Sequence, residues 1–295
     1  MGEHMGYHSR INQAFEGALR LPLNMSSRYV IFSDCHRGTG NANDNFTRNE
    51  FIYIAALNYY FNRDFSYIEL GDGDELWENR SMNKIKDMHQ HSFDVLSKFF
   101  HKGRFYSIYG NHDMVKKSSN YSGLNFCSYY CDHKMCTDSL FPNITFYPSI
   151  ILESETENNI YLTHGHQADF LNSTLWHVSR FLVRYVWRPL ELLGIPDPTS
   201  AAKNNTRKKS TEKKLVNWAK ENHHILITGH THRPMMGTDS SPFYNTGSCV
   251  SPYGITCIEI YKGCIYLVKW SLDTTDDQIV RVSRSKLAKR NCMVL

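Results

Sequence analysis

The chain has 295 residues, 41% hydrophobic and 21% charged, enough apolar material for one large domain or two small ones with buried cores. That composition excludes disordered, collagen-like and low-complexity chains, and a net charge of +4, 33 basic against 29 acidic side chains, is too small to argue for nucleic acid or an anionic membrane. The richest apolar run, 181–193, is broken by Arg184, Arg188, Pro189 and Glu191, well short of the roughly 18 to 20 apolar residues of a spanning helix. The start, 1–27, has no apolar core of signal-peptide type, so the expected compartment is the cytoplasm. The eight cysteines are then expected as thiols or ligands rather than a disulfide framework. Fifteen histidines direct attention to a metal site.

The segment 10–19 places Ile11, Phe15, Ala18 and Leu19 at helical spacing and predicts a short amphipathic helix. After it, short apolar runs each end in a polar cluster: 29–32 before Ser33-Asp34-Cys35-His36, and 67–70 before Gly71-Asp72. The design recurs at 105–109 before Gly110-Asn111-His112-Asp113, at 160–162 before Thr163-His164-Gly165-His166, and at 225–227 before Thr228-Gly229-His230-Thr231-His232. Length, aromatic and β-branched content and glycine punctuation make each run a buried strand. Helical patterns over 49–62 and 84–102 alternate with the first strands, which indicates an α/β fold with covered sheet faces. Sites in such sheets gather at the carboxyl ends of strands, where all five clusters fall. Further strands are expected at 147–152, 254–260 and 265–270, the last two a hairpin about Lys262-Gly263, and the polar stretch from Asp273 is expected to be peripheral and loose.

The clusters supply Asp34, His36, Asp72, Asn111, His164, His230 and His232, a mixture of carboxylate, carboxamide oxygen and imidazole. Such a set suits divalent ions of borderline hardness, Mn²⁺ first and Fe²⁺ or Zn²⁺ as alternatives, and is too rich in nitrogen for a dedicated Mg²⁺ or Ca²⁺ cage. Two residues apart on an extended chain, Asp34 and His36 would share one face, and His230 and His232 repeat the device. A carboxylate at Asp72 can bridge two ions, the arrangement used for in-line displacement at phosphorus.

In these blocks the chain resembles the calcineurin-like metallophosphoesterases, whose ordered motifs are D-x-H, G-D-x-x-[DE], G-N-H-[DE], H-G or G-H, and G-H-x-H. Asp34-Cys35-His36, Gly71-Asp72-Gly73-Asp74-Glu75, Gly110-Asn111-His112-Asp113, His164-Gly165-His166 and Gly229-His230-Thr231-His232 stand in that order, and Asn245-Thr246-Gly247-Ser248 matches a further block. The resemblance implies a four-layer α/β/β/α sandwich, with Asp34, His36 and His232 on one ion, Asn111, His164 and His230 on the other, and Asp72 on both. It further implies a hydroxide bridging the ions as nucleophile, and His112 as a catalytic residue facing the phosphate rather than a ligand. Among subtypes the chain looks most like the UDP-2,3-diacylglucosamine hydrolases. Ser33-Asp34-Cys35-His36-Arg37-Gly38, His164-Gly165-His166-Gln167-Ala168-Asp169 and Gly229-His230-Thr231-His232-Arg233-Pro234 match their blocks, with a helical insertion over 170–223. Arg37 stands where leucine is usual and His166 where aspartate is.

The expected organisation is an N-terminal arm helix over 1–28, the catalytic domain over 29–272 with its lid insertion, and a polar tail over 273–295. The expected activity is dimetal hydrolysis of a phosphoric ester or of a nucleotide-linked pyrophosphate like UDP-diacylglucosamine. A general phosphomonoesterase or phosphodiesterase is the alternative, and a non-catalytic metal-binding scaffold is disfavoured because no ligand is missing. The expected partner is a phosphorylated small molecule or nucleotide-linked substrate, without specific nucleic acid. In the insertion, Trp176, Phe181, Leu182, Tyr185, Trp187 and Leu190 interleave with Arg180, Arg184 and Arg188, which suits a lid, an interfacial helix touching a membrane peripherally, or an ordinary packed helix. Six basic residues against Glu212 over 203–214 suit an electropositive rim or a solvated helix start. Candidates for substrate contact are Arg37, His166, Arg184, Arg188, Lys208 and Lys209. Asp74 and Glu75 are expected to orient ligands. Cys127, Cys131, His133 and Cys136 could hold a structural zinc, but they lack the second pair of a zinc ribbon, and the first expectation is free thiols on a surface loop. The last four residues from Cys292 match a prenylation pattern that also arises by chance.

Overall fold

The computed structural model describes residues 6–126, 129–131, 136–155, 158–187, 189–190 and 204–292. Helix α1 (Tyr7–Glu16) is followed by β1 (Leu19–Leu23), β2 (Arg28–Phe32), α2 (Glu50–Phe61), β3 (Ser66–Leu70), α3 (Met82–Met88), α4 (Gln90–His101) and β4 (Phe105–Ile108). Then come α5 (Ser119–Phe126), the strands β5 (Tyr129–Cys131), β6 (Cys136–Asp138), β7 (Phe146–Tyr147), β8 (Ser149–Ser154) and β9 (Ile160–Thr163), and the short helices α6 (Phe170–Ser173) and α7 (Trp176–Leu182). A π-helical turn, Val183–Trp187, extends α7. The chain continues through α8 (Asn205–Glu221), β10 (Ile225–Thr228), β11 (Phe243–Asn245), β12 (Ile255–Tyr261), β13 (Cys264–Thr274) and β14 (Val280–Asn291).

Two mixed sheets, ordered β1-β8-β9-β10-β11 and β14-β13-β12-β2-β3-β4-β7, are flanked by helices. The two-residue side-chain period of a strand sorts each one's apolar residues onto its two faces. Tyr29 and Ile31 of β2, Ile68 and Leu70 of β3, and Ile225 and Ile227 of β10 join one cluster with Leu21, Leu152, Leu162 and Ile258, drawn from both sheets. The opposite residues of β2, Val30 and Phe32, pack with Tyr53, Tyr60, Leu96 and Phe99 of α2 and α4. Leu226 of β10 packs with Ile11 of α1 and with Leu215, Trp218 and Ala219 of α8. Each fully buried aliphatic or aromatic side chain contributes about 1.5 to 3 kcal/mol, so both faces of both sheets are anchored.

Several expectations need correction. The first helix ends at Gly17, and Leu19 begins β1, which pairs in parallel with β8 and carries Leu21 and Leu23 into the cluster between the sheets. The arm is thus part of a sheet, with Pro22 tolerated because β1 is an edge strand. The pattern over 84–102 forms two helices, broken at His89. The stretch from Asp273 is paired rather than loose: β13 runs to Thr274, and β14 lies antiparallel to it at the sheet's edge. One helix of the insertion, α8, packs on a sheet face. Cys127, His133, Arg188 and residues 293–295 lie outside the described residues, as do the side chains of Cys131 and Cys136. Cys292 is buried. Cys35, Cys249, Cys257, Cys264 and Cys292 are free thiols. Among the described residues no helix is long and apolar enough to cross a membrane.

Candidate metal centre

Strands β2, β3 and β4 run parallel to one another, as do β9 and β10, so the loops leaving their carboxyl ends converge. The loop after β2 is laced to the loop after β3 by backbone bonds from Asp34 N to Gly71 O (3.1 Å), His36 N to Asp72 O (2.9 Å) and Arg37 N to Gly73 O (3.0 Å). Three groups result whose ligand atoms lie within 4.8 Å of one another: Asp34, His36 and His232; His36, Asp72 and His112; Asp72, His164 and His230.

The extended-chain geometry expected for the two His-containing pairs is not what holds them. Asp34 (φ 51°), His36 (46°), Asp72 (50°), His230 (67°) and His232 (54°) all adopt left-handed backbone, where a residue other than glycine is strained by about 1 to 3 kcal/mol. Such strain persists only where the surroundings fix it, and here it concentrates on the candidate ligands. Close approach demands glycine beside them: a Cβ at Gly110 would meet Asp72 Oδ1 and lie 2.5 Å from Asp72 N.

The donor set fits divalent cations on the evidence of its own hydrogen bonds. His164 Nδ1 faces Leu70 O at 2.9 Å, and since a carbonyl only accepts, that nitrogen carries the proton. Nε2 then lies 3.1 Å from Asp72 Oδ2, a contact that either a proton on Nε2 or a cation between the two atoms would satisfy. In the same way Glu75 Oε2 accepts from His36 Nδ1 (2.8 Å), leaving His36 Nε2 3.2 Å from His232 Nε2, which itself lies 3.1 Å from Asp34 Oδ1. Asp34 Oδ1, Asn111 Oδ1, His164 Nε2 and His230 Nε2 are buried without a hydrogen-bond partner. Asp34 Oδ2, by contrast, accepts from Ser33 Oγ and from His230 N (3.0 Å).

Electrostatics agree. Burial alone would raise the Asp34 and Asp72 carboxyls, but neighbouring histidines, His232 and His164 foremost, hold both well below the usual range. Against its own burial, His164 is lifted to about 9 by Asp72 and Asp34, whereas burial and His164 push His230 down to about 4.

His112, grouped above with His36 and Asp72, makes further contacts. Its backbone N donates to Asp72 Oδ1 (2.8 Å), its Nδ1 pairs with Glu75 Oε1 (2.8 Å), and its ring stacks on Trp77 at 4.3 Å. Glu75 therefore orients His36 and His112 together, the role read for it in the sequence. Asp74 instead belongs to a buried charge network, with Arg37 Nε (2.8 Å) and Lys116 Nζ (2.7 Å) on it, Glu69 on Arg37 (2.7 Å) and Asp113 on Lys116 (2.7 Å).

That network corrects one candidate: Arg37 is 1% exposed and cannot meet a substrate. His166, also expected at substrate, is buried beside His164 with Nδ1 unpartnered, and burial and then His164 push its pKa well down. Arg184 directs Nε and Nη2 to Trp77 O (2.7 Å) and Leu76 O (2.8 Å), tying the insertion to the loop that carries Glu75. Lys208 is half-buried and Lys209 exposed on the first turns of α8. Sequence reasoning missed Trp77, although an aromatic two residues after Glu75 in the same motif was a signal. It also missed Lys116, whose spacing from Asp113 resembles any surface i,i+3 pair.

No family model and no curated protein matches the chain. Among solved structures, Vps29 from Chaetomium thermophilum is similar at 11% identity and a TM-score of 0.43, over 90% of this chain and 99% of that one.

Proposed function

We propose that the chain is a calcineurin-like metallophosphoesterase with a four-layer α/β/β/α body, hydrolysing a phosphoric ester or a nucleotide-linked pyrophosphate at two divalent ions, Mn²⁺ foremost. The observation that carries the reading is the convergence of buried, unpartnered carboxylate, carboxamide and imidazole atoms from four strand-end loops, with Asp72 from a fifth grouped among them. Asp34, His36 and His232 would hold one ion, Asn111, His164 and His230 the other, and Asp72 both. Bound there, the ions would supply an acidified water and offset charge on the phosphoryl oxygens. The chain's own groups do the rest: Glu75 keeps His112 Nδ1 engaged and Trp77 fixes its ring plane, so His112 is set to hold a proton for the leaving oxygen. Burial opposes but Glu75 and Asp72 raise the His112 pKa, which favours the acid form.

A substrate with an apolar part, as in the UDP-diacylglucosamine hydrolases, is supported by a cavity of about 720 Å³ lined by Met114, Val115, Tyr121, Leu124 and Trp176, just past His112. Leu175, Val178, Phe181 and Tyr185 are exposed from the residue before α7 into the π-helical turn, suited to a lid or to peripheral contact with a lipid surface. Lys208 and Lys209 would form the rim.

The test is a Mn²⁺-supplemented hydrolysis screen of nucleotide sugars, mononucleotides, cyclic nucleotides and aryl phosphates, with metal content measured alongside. The expected result is about two ions per chain and turnover lost on chelation and in Asp72→Asn, whose carboxylate is shared by both ion sites. Full turnover in chelated protein sinks the reading.

A further inference from the structure

The loops carrying His36 and Glu75 continue, beyond the motif residues, into a polar pocket of about 390 Å³. Thr39 lines it three residues after His36, Asn79, Arg80, Ser81 and Lys84 line it after Trp77, and Arg184 and Tyr185 reach in from the insertion. Three cations there face one carboxylate, Glu78, to which Asn43 Nδ2 donates at 3.4 Å. The positions of two of the cations are set. Arg184 is fixed by the Trp77 and Leu76 carbonyls, and Arg80 hydrogen-bonds the Tyr185 hydroxyl while lying 5.8 Å over that ring. Among the described residues, neither Arg80 nor Lys84 forms an ion pair. Burial, then Arg180 and Arg80, lower the Arg184 pKa, so like charges are held together here against their repulsion. Trp77 joins the pocket to the metal centre, since its ring stacks on His112 while its carbonyl accepts from Arg184.

We propose that this pocket is an anion subsite that receives a second phosphoryl group of the substrate, held by Arg80, Lys84 and the fixed charge of Arg184. The inference rests on the hydrolase reading above and narrows its substrate class to compounds with two phosphoryl groups rather than simple monoesters. Guanidinium and ammonium groups are the side chains suited to phosphate oxygens, and the charge surplus supplies the attraction.

The test titrates inorganic pyrophosphate into chelator-treated protein by calorimetry, where the carboxylates of the metal centre repel the probe and the pocket alone is read. The expected result is saturable binding that the double variant Arg80→Gln, Lys84→Gln weakens at least about tenfold, or about 1.4 kcal/mol, and that Asp72→Asn leaves unchanged. With Mn²⁺ present, the double variant should raise KM for a nucleoside diphosphate diester by a similar factor and leave kcat/KM for an aryl phosphate within about twofold. Undiminished pyrophosphate binding in the double variant, or equal losses on both substrates, overturns the subsite. If the unsubstituted protein hydrolyses neither substrate, the hydrolase reading fails on its own, and the titration still decides the pocket.

Discussion

His112 is gripped through its backbone by Asp72, through Nδ1 by Glu75 and through its ring face by Trp77. On the proposed hydrolase reading a side chain so fixed would contribute to the transition state rather than to ion affinity, so His112→Ala should lower kcat by about 10²-fold or more while metal content stays near that of the parent. Loss of metal in that variant would make His112 a ligand. Arg37 behaves oppositely: it lies within the fold, its guanidinium on Glu69 and Asp74 and over the Phe93 ring. Replacing it by methionine leaves buried Glu69 without its cation and Asp74 with Lys116 alone, and breaking a buried pair costs about 3 to 5 kcal/mol. Arg37→Met should therefore lower unfolding free energy by that order in denaturant titration, with KM of the remaining folded protein unchanged. A raised KM at unaltered stability would restore Arg37 to the substrate.

At the scale of elements, the break between α3 and α4 and the late strand β14 each hold a buried charge. His89 lies between Asp44 Oδ2 and Glu50 Oε2, both at 2.9 Å, binding the loop before α2 to the start of α4. Burial opposes, but Asp44 and Glu50 raise the His89 pKa, and against their own burial His89 lowers both carboxyls. The raised histidine contributes stability fully present below its unfolded value of about 6.5 and lost as pH rises through the folded value; the carboxylates contribute above about 4.5 and lose it on acidification. The stability gap between parent and His89→Gln should thus be wider near pH 5.5 than near pH 9, about the two sides of that window, as equilibrium unfolding would show. A gap that does not narrow on the alkaline side counts against the ion pair. In β14, Arg284 pairs with Glu259, a β12 carboxylate 2% exposed that also accepts from Tyr60 Oη at 2.6 Å. Arg284→Leu should cost about 3 kcal/mol, read as a lowered denaturation midpoint, whereas a loose tail would tolerate the change.

For the whole molecule, the candidate ligands are divided between the sheets. Asp34, His36, Asp72 and Asn111 follow strands of the seven-stranded sheet, and His164, His230 and His232 follow strands of the five-stranded one. Ions bound there would join the two halves of the sandwich and favour the native state by mass action, by about 2.7 kcal/mol at a hundredfold excess over Kd. Chelation should accordingly lower the thermal midpoint of the entire chain in one cooperative transition. A midpoint indifferent to chelator and to added Mn²⁺ would show that the centre binds no ion in the native state.

Much of this was legible in the order of residues, because its determinants are local. Apolar runs of strand length ending in Asp, Asn and His identify β2, β3, β4, β9 and β10 and the groups at their ends, and a period of two sorts the faces of each strand whatever its neighbours. What pairs across long separations was not. Leu19–Leu23 is a strand only because β8 offers an edge, and β14, polar along most of its length, is held by β13 and by Glu259. Arg37 looked like a cation beside a phosphate site, since nothing within a few residues of it reveals Glu69 and Asp74. Local chemistry selected the candidate ligands; tertiary packing alone decided which charges meet water and which are neutralised inside, because burial and ion pairing depend on partners that the chain brings together only when folded.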